Sequence, residues 1–306
     1  LAKEINKKYK VYFITSKSEK LAINRLRNKK YEIIVCSKKK IFKKLAILKP
    51  NVVINDVLST TKAQIKVLKK SNIKVINFED LGSGTKISDL TINEIYEKPL
   101  VYNKKIIWGK NFFFLRDEFL HQKKNDYIKI KNVLLFFGGT DPNNLTLKII
   151  KSIYNFAIKK NINIKIILGI GYKNKQSLLR YLKSKQNISL IDSTAKITNY
   201  MKKCQLAFTS NGRTTYELAH MNIPAIVISH NYRETMHKFS SIKNGFINLG
   251  QYNKRNFLFN NVLFAFKGLI NNEKLYKKLY KAMRKINFNF SRQKVKGKIN
   301  KIEKIF

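Results

Sequence analysis

The feature that most constrains this chain is a rhythm that starts, falters and starts again. In the first half, short apolar runs at residues 10–15, 32–36, 52–56 and 75–78 read as strands. Between them, apolar residues fall three and four apart over 19–28, 41–48 and 62–71, which predicts helices. Strands joined through helices lie parallel, and a parallel sheet needs helices on both faces. Residues 99–131 are less regular and close on Lys123-Lys124-Asn125-Asp126, which reads as the run-out of one domain and a linker. The rhythm restarts at Val133. Strands are expected at 133–137, 164–168, 188–191, 206–209 and 225–228. Helices are expected at 145–159, 175–185, 195–202, 214–221 and 234–242, and after Gly250 the chain reads as mostly helical.

The expected fold class is therefore α/β, with two parallel-sheet domains at 1–125 and 126–306; one large doubly wound sheet is the alternative. A length of 306 residues suits two domains of roughly 150 each. Leu1-Ala2-Lys3-Glu4-Ile5 reads as the middle of a helix without an N-cap, so part of the first domain is expected to lie upstream. Cys36 and Cys204 fit neither a metal spacing nor a disulfide framework, which points to a cytoplasmic protein with no metal. No apolar run approaches the ~18 residues of a membrane span.

The formal net charge is +45. Only nine of the 63 Lys and Arg residues are Arg, the lysines are scattered, and Ile and Asn are plentiful, as an AT-rich coding sequence would produce. A nucleic-acid binder would show clustered Arg with exposed aromatics. No specific nucleic-acid partner is expected, although such a binder remains the rival reading. An anionic membrane surface is a candidate partner that would gain from the charge.

Four segments carry candidate chemistry. Phe136-Phe137-Gly138-Gly139-Thr140-Asp141-Pro142 runs from a strand through two glycines into a helix. Backbone without Cβ atoms and free helix N–H groups suit a phosphate. Equally, Asp141 can be a plain N-cap with Pro142 the first helical residue. Thr209-Ser210-Asn211-Gly212-Arg213-Thr214-Thr215-Tyr216-Glu217 sits at a second strand-to-helix junction. There Arg213 can fork onto a phosphate and Glu217 can accept a ribose diol, or Thr214-x-x-Glu217 can be a capping box. His230-Asn231-Tyr232-Arg233-Glu234, with His237 a turn on, follows a third strand and either reads sugar hydroxyls or forms a solvated helix start. In Glu79-Asp80-Leu81-Gly82-Ser83-Gly84 the acids suit acid–base work or a turn. Its glycines lack the third of a dinucleotide fingerprint, as Ile87 takes that place; Gly169-x-Gly171 fails likewise at Asn174. No cofactor is expected.

Taken in order, these segments resemble one family: the spore-coat polysaccharide biosynthesis glycosyltransferase-like proteins and the nucleotide-sugar hydrolases of the pseudaminic acid pathway. The features shared are Leu1-Ala2-Lys3-Glu4, Phe78-Glu79-Asp80-Leu81-Gly82, Asp89-Leu90-Thr91-Ile92-Asn93 and Leu115-Arg116-Asp117-Glu118-Phe119. They continue with Gly138-Gly139-Thr140-Asp141-Pro142, Asn211-Gly212-Arg213-Thr214-Thr215-Tyr216-Glu217 and Arg233-Glu234. The resemblance implies a GT-B fold, two Rossmann-like domains facing a cleft, and a UDP-sugar substrate. Gly138, Gly139, Thr140, Asp141, Asn211, Gly212, Arg213 and Thr214 are then the expected diphosphate contacts and Glu217 the ribose partner. Asn231 and Glu234, with Asp80, are the expected sugar contacts. The family opens with a strand and a Gly-x-Gly-His loop whose histidine is the hydrolases' proposed base; here that loop is expected upstream of Leu1. Asp56-Val57-Leu58 stands where the hydrolases carry Asp-His-Tyr, and Tyr216-Glu217 where they carry Asn-Glu. Both differences favour the spore-coat branch. The expected function is glycosyl transfer from, or hydrolysis of, a UDP-sugar in surface polysaccharide or nonulosonic acid synthesis. The alternative is a non-catalytic sugar-nucleotide module fused to another enzyme.

Overall fold

A computed structural model of the chain describes residues 1–304. It divides into two units: Leu1–Phe114 together with the segment from Phe290 onwards, and Leu115–Asn289.

The first unit runs α1 (Ala2–Ile5), β1 (Tyr12–Ser16), α2 (Lys20–Arg27), β2 (Glu32–Cys36), α3 (Ile41–Leu48), β3 (Val52–Asn55), α4 (Lys62–Lys69), β4 (Lys74–Phe78), β5 (Leu90–Asn93) and β6 (Ile106–Trp108). All pairings are parallel, but the strands form two sheets, β1–β2 and β3–β4–β5–β6. One helix layer covers Val53 and Val75 and takes in Ile14 of β1. The other covers Ile76 and Ile92 and takes in Val11, Val52 and Ile54. Thus β3 lies under both layers and β1 shares the first of them through Ile14, and the two strands do not bond to each other. The start of α4 is a true capping box: Thr61 Oγ1 accepts from Gln64 N (3.2 Å) and Gln64 Oε1 accepts from Thr61 N (2.8 Å).

The second unit continues β7 (Asn132–Phe136), α5 (Leu145–Lys159), β8 (Asn163–Leu168), α6 (Lys175–Leu182), β9 (Ile188–Asp192), α7 (Thr198–Met201), β10 (Leu206–Thr209), α8 (Arg213–Met221), β11 (Ala225–Ser229), α9 (Tyr232–Thr235), β12 (Phe246–Gln251), α10 (Phe259–Asn271) and α11 (Glu273–Arg284). Its six strands form one parallel sheet in the order β12-β11-β10-β7-β8-β9. Alternate residues Val133 and Leu135, Ile164 and Ile166, Leu206 and Phe208, Ile226 and Ile228 pack against α5 and α10. Residues between them, such as Leu134, Ala207 and Val227, are also fully buried. Both faces are covered, as a parallel sheet requires. Among the described residues no helix is long and apolar enough to cross a membrane.

Three expectations need correction. The last helix, α12 (Ser291–Asn300), packs on the first unit rather than the second, with Val295 and Ile299 fully buried beside Ile5, Ile76 and Ile92. Each such burial stabilises by about 1.5–3 kcal/mol, and Arg292 adds an ion pair to Glu4 at 2.9 Å. The boundary falls between Phe114 and Leu115 rather than at 125, because the segment that follows is fastened to the second unit, with Asn125 N donating to Met221 O at 2.9 Å. No helix spans 234–242: α9 stops at Thr235. The carbonyls of Glu234 and His237 accept from Asn211 Nδ2 (2.7 and 3.0 Å), so a tertiary bond takes acceptors a longer helix would have used.

Candidate functional site

Parallel strands present all their carboxyl ends on one edge. The chain goes from β7 outward to β8 and β9, then returns to β10 and moves the other way to β11 and β12. The order therefore reverses between β7 and β10, and open α/β sheets bind ligands in the crevice at such a point. The turn after β7 (Gly138, Gly139, Thr140, Asp141) and the turn after β10 (Ser210, Asn211, Gly212) flank it. Gly138 has φ +76°, which favours glycine, and a Cβ placed on it would lie 4.0 Å from Ser210 Oγ across the switch point. A Cβ on Gly139 or Gly212 would meet nothing within 4 Å, so both face open space.

The first turn is braced from below. Gly169, at the end of β8, lies so close that a Cβ there would sit 2.2 Å from Gly138 O and 2.3 Å from Gly139 O. Gly171 N donates to Gly139 O at 2.8 Å. Gly169, which fails as part of a dinucleotide fingerprint, thus serves close packing. Asp141, buried with φ +41°, accepts from Leu145 N (2.8 Å) and Thr146 N (2.9 Å). Helix α5 therefore begins at Leu145, with Pro142 in the preceding turn and not at the first helical position. Its first N–H groups already hold a carboxylate, and Asp141 occupies the anion seat that the sequence offered to a phosphate. Asn143 Nδ2 donates to His230 O at 2.8 Å, and Tyr172 Oη to Asn144 Oδ1 at 2.6 Å, tying three loops together.

The second turn is different. Helix α8 follows Gly212, which has no side chain to cap it, and Arg213 opens it. The Thr214–Glu217 capping box does not form. Asn211, 1 % exposed, has its amide committed inside the protein: besides the two carbonyls of the 234–237 segment, Oδ1 accepts from Ser240 Oγ at 2.6 Å. Glu234 Oε2 accepts from His230 N (2.7 Å) and Asn211 N (3.3 Å), while Asn231 Oδ1 caps Glu234 N at 3.1 Å. These bonds bring the second and third turns into one unit.

Glu217 lies one turn into α8 and is 3 % exposed. Arg116 grips it with two parallel bonds, Nε to Oε1 at 2.6 Å and Nη2 to Oε2 at 3.0 Å. Arg116 Nη1 also meets Glu118 Oε1 at 2.9 Å, and its guanidinium lies 5.2 Å from the Phe119 ring centre. Burial pushes the Glu217 carboxyl above its ordinary pKa, and the Arg116 charge opposes that rise. Nothing in Leu115-Arg116-Asp117-Glu118-Phe119 as a sequence assigns Arg116 a role. Its partner is 101 residues away, and no local pattern announces that bond.

Asp80 is in the first unit and fully buried. Oδ1 accepts from Thr60 N (2.9 Å) and Gly82 N (2.7 Å), and Oδ2 from Asn77 Nδ2 (2.9 Å) and Thr60 Oγ1. Four donors saturate the carboxylate, so Asp80 holds a turn and has no capacity left for a sugar hydroxyl.

The description of the glycosyltransferase family 28 C-terminal domain matches residues 133–239, which contain every turn described at this edge. An uncharacterized protein of Methanocaldococcus jannaschii is 29% identical over 240 residues, 72% of this chain and 49% of its own length. The spore coat polysaccharide biosynthesis protein SpsG of Bacillus subtilis is 24% identical over 198 residues, 62% of this chain and 58% of its own. The chain thus spans about half the length of these curated relatives. MurG of Acinetobacter baumannii superposes with a TM-score of 0.69 at 12% identity, covering 99% of this chain and 94% of MurG. The UDP co-structure of S. aureus MnaA gives 0.63 at 15% identity, covering 96% and 97%. The expected likeness to GT-B glycosyltransferase-like proteins of the spore-coat group is present in domain, relative and fold alike, and the chain has the two Rossmann-like domains of the GT-B type.

Proposed function

We propose that the carboxyl edge of the second unit binds a UDP-sugar, and that the chain serves transfer of that sugar, or its hydrolysis, in surface polysaccharide or nonulosonic acid synthesis. One observation carries this reading. Two glycine turns with open space above Gly139 and Gly212 flank the switch point, beside an uncapped helix that begins at Arg213. The diphosphate is assigned to the Gly138–Gly139–Thr140 backbone and to the Gly212–Arg213–Thr214 start of α8, where helix dipole and guanidinium stabilise the leaving UDP. Glu217 takes the ribose diol. Asn231 and the uncommitted Oε1 of Glu234 face the sugar. Asp141 and Asn211 shape the site through their bonds to the backbone. The UDP in the MnaA co-structure supports the choice of nucleotide.

The first unit is assigned the acceptor and catalytic side.

Titration of UDP into wild type and Glu217→Gln tests the site. Losing a charged acceptor for the diol should cost about 1.5–3 kcal/mol, roughly 10- to 150-fold in Kd. The thermal melt should drop too, because Arg116 loses half of its ion-pair partners. Breaking a buried pair costs about 3–5 kcal/mol, but a 44 % exposed guanidinium is rescued by water, so about 1–2 kcal/mol is expected. Equal UDP affinities would refute the assignment.

A further inference from the structure

The ion pair at the start of the second unit goes beyond this assignment. Arg116 does not come from the sheet edge that forms the nucleotide seat. It comes from the segment leading into the unit, just before the Asp117–Phe119 turn. That segment is fastened at both ends of the pair. Glu118 Oε2 accepts from Thr198 N (3.3 Å) and Oγ1 (3.5 Å) on α7, and the Phe119 carbonyl accepts from His220 Nε2 (2.8 Å) on α8, one turn past Glu217. Phe119 itself is fully buried. The guanidinium is therefore held from below by an aromatic ring, from one side by Glu118, and has little freedom to leave Glu217.

The lone pairs of Glu217 give this grip a purpose. An ionised carboxylate offers about four acceptor sites, two on each oxygen. Arg116 takes one on Oε1 and one on Oε2. One site on each oxygen is left, and two acceptors side by side match two adjacent hydroxyls. We propose that Arg116 is the positioning residue of the nucleotide seat: by holding both Glu217 oxygens it fixes the carboxylate in the orientation that a vicinal diol, the ribose of the nucleotide, requires, and its charge favours the ionised form. This rests on the UDP-sugar reading and assigns Arg116 no contact with the ligand.

The charged groups facing Glu217 are Arg116 and Glu118 from the entering segment and Arg213 from its own helix. His220 on the next turn bonds the Phe119 carbonyl instead. Without Arg116, a carboxyl already raised by burial rises further and is left with Arg213 alone against Glu118. A protonated carboxyl has lost one acceptor and gained a donor, so it suits a diol poorly.

The test is UDP titration by calorimetry from pH 5.5 to 8.5 at fixed ionic strength, on wild type, Arg116→Gln, Arg116→Lys, Glu217→Gln and the double variant Arg116→Gln/Glu217→Gln. Affinity should depend less on pH in wild type than in Arg116→Gln. Arg116→Gln should bind at least tenfold more weakly, with an affinity that recovers as the pH rises and Glu217 ionises. Arg116→Lys keeps the charge but not the fork, so it should restore the wild-type pH profile with an intermediate affinity. The double variant should bind no more weakly than Glu217→Gln alone. Should Arg116→Gln weaken binding equally at every pH and add in full to Glu217→Gln, Arg116 touches the nucleotide and the positioning role is wrong. Should Arg116→Gln match wild type while Glu217→Gln binds weakly, Arg116 is a structural pair only. If Glu217→Gln itself binds as wild type, the ribose reading fails first. Melting curves without ligand keep the question open to test should Arg116→Gln bind nothing. Its stability should fall more steeply than that of wild type as the pH rises above the ordinary carboxylate range, because its folded state holds more of a proton that the unfolded state releases; a slope equal to that of wild type would overturn the proposal.

Discussion

Replacing Gly169 with alanine should damage the nucleotide seat from beneath, without placing an atom in it. The new Cβ would lie 2.2 Å from Gly138 O, 2.3 Å from Gly139 O and 2.4 Å from Gly139 C. All three are backbone atoms, so no side chain can swing aside. To reach an ordinary contact near 3.4 Å, the turn must lift by more than an ångström. That shift stretches the 2.8 Å bond from Gly171 N to Gly139 O past its useful range. Overpacking costs about 1–3 kcal/mol and a lost backbone bond about 1 kcal/mol more. For a unit of this size each kcal/mol lowers the melting temperature by about 2–4 °C, so a fall of roughly 4–16 °C is expected. Circular dichroism melts with and without UDP read both effects. The variant should melt early, and UDP should raise its midpoint less than in wild type. A variant that melts with wild type and gains the same shift from UDP would show that β8 does not brace the turn.

Two further substitutions and one titration complete the set. Gly139→Ala and Gly212→Ala project a methyl into open space, so stability should stay within about 0.5 kcal/mol while UDP affinity falls at least tenfold; unchanged affinity would place the ligand elsewhere. Burial lowers the pKa of His220 and of His237, so each binds protons more readily unfolded than folded. Stability should therefore be full above the ordinary histidine pKa near 6.5 and decline as the pH falls below it. Melts at pH 7.5 and 5.5 should differ less in His220→Gln than in wild type.

The sequence exposed what depends on local period and position along a strand. The 145–159 helix forms with the expected bounds, and the restart at Val133 lies in the first strand of the second unit's sheet. Gly138, Gly139 and Gly212 could be placed at strand-to-helix junctions because glycine and apolar runs are neighbours in sequence. What stayed hidden depends on bonds between distant residues. Asn211 ends α9 by capturing carbonyls 23 and 26 residues away, and the 234–242 periodicity gives no hint of it. Asp141 reads as a cap, as a phosphate neighbour or as both; that its carboxylate reaches Leu145 N and Thr146 N is visible only in the structure. Strand β12 (Phe246–Gln251) was missed because its burial is irregular at an outer edge of the sheet. Helix α12 was given to the wrong unit because contiguity in sequence is the default, and nothing before Phe290 marks a return.

The central claim is that UDP seats at the carboxyl edge of the second unit, and hydrogen exchange read by mass spectrometry tests it most directly. A chain of net charge +45 attracts any polyanion, so the measurement belongs at physiological salt, where exposed charges are screened within about 8 Å. The exposed lysines Lys274, Lys277, Lys278, Lys281 and Lys285 along α11 serve as the internal control for unspecific binding. Saturating UDP should slow exchange in peptides covering 138–141 and 211–217 and leave 274–285 unchanged. Slowing confined to the lysine-rich helix, or no slowing in either glycine turn, would contradict the account.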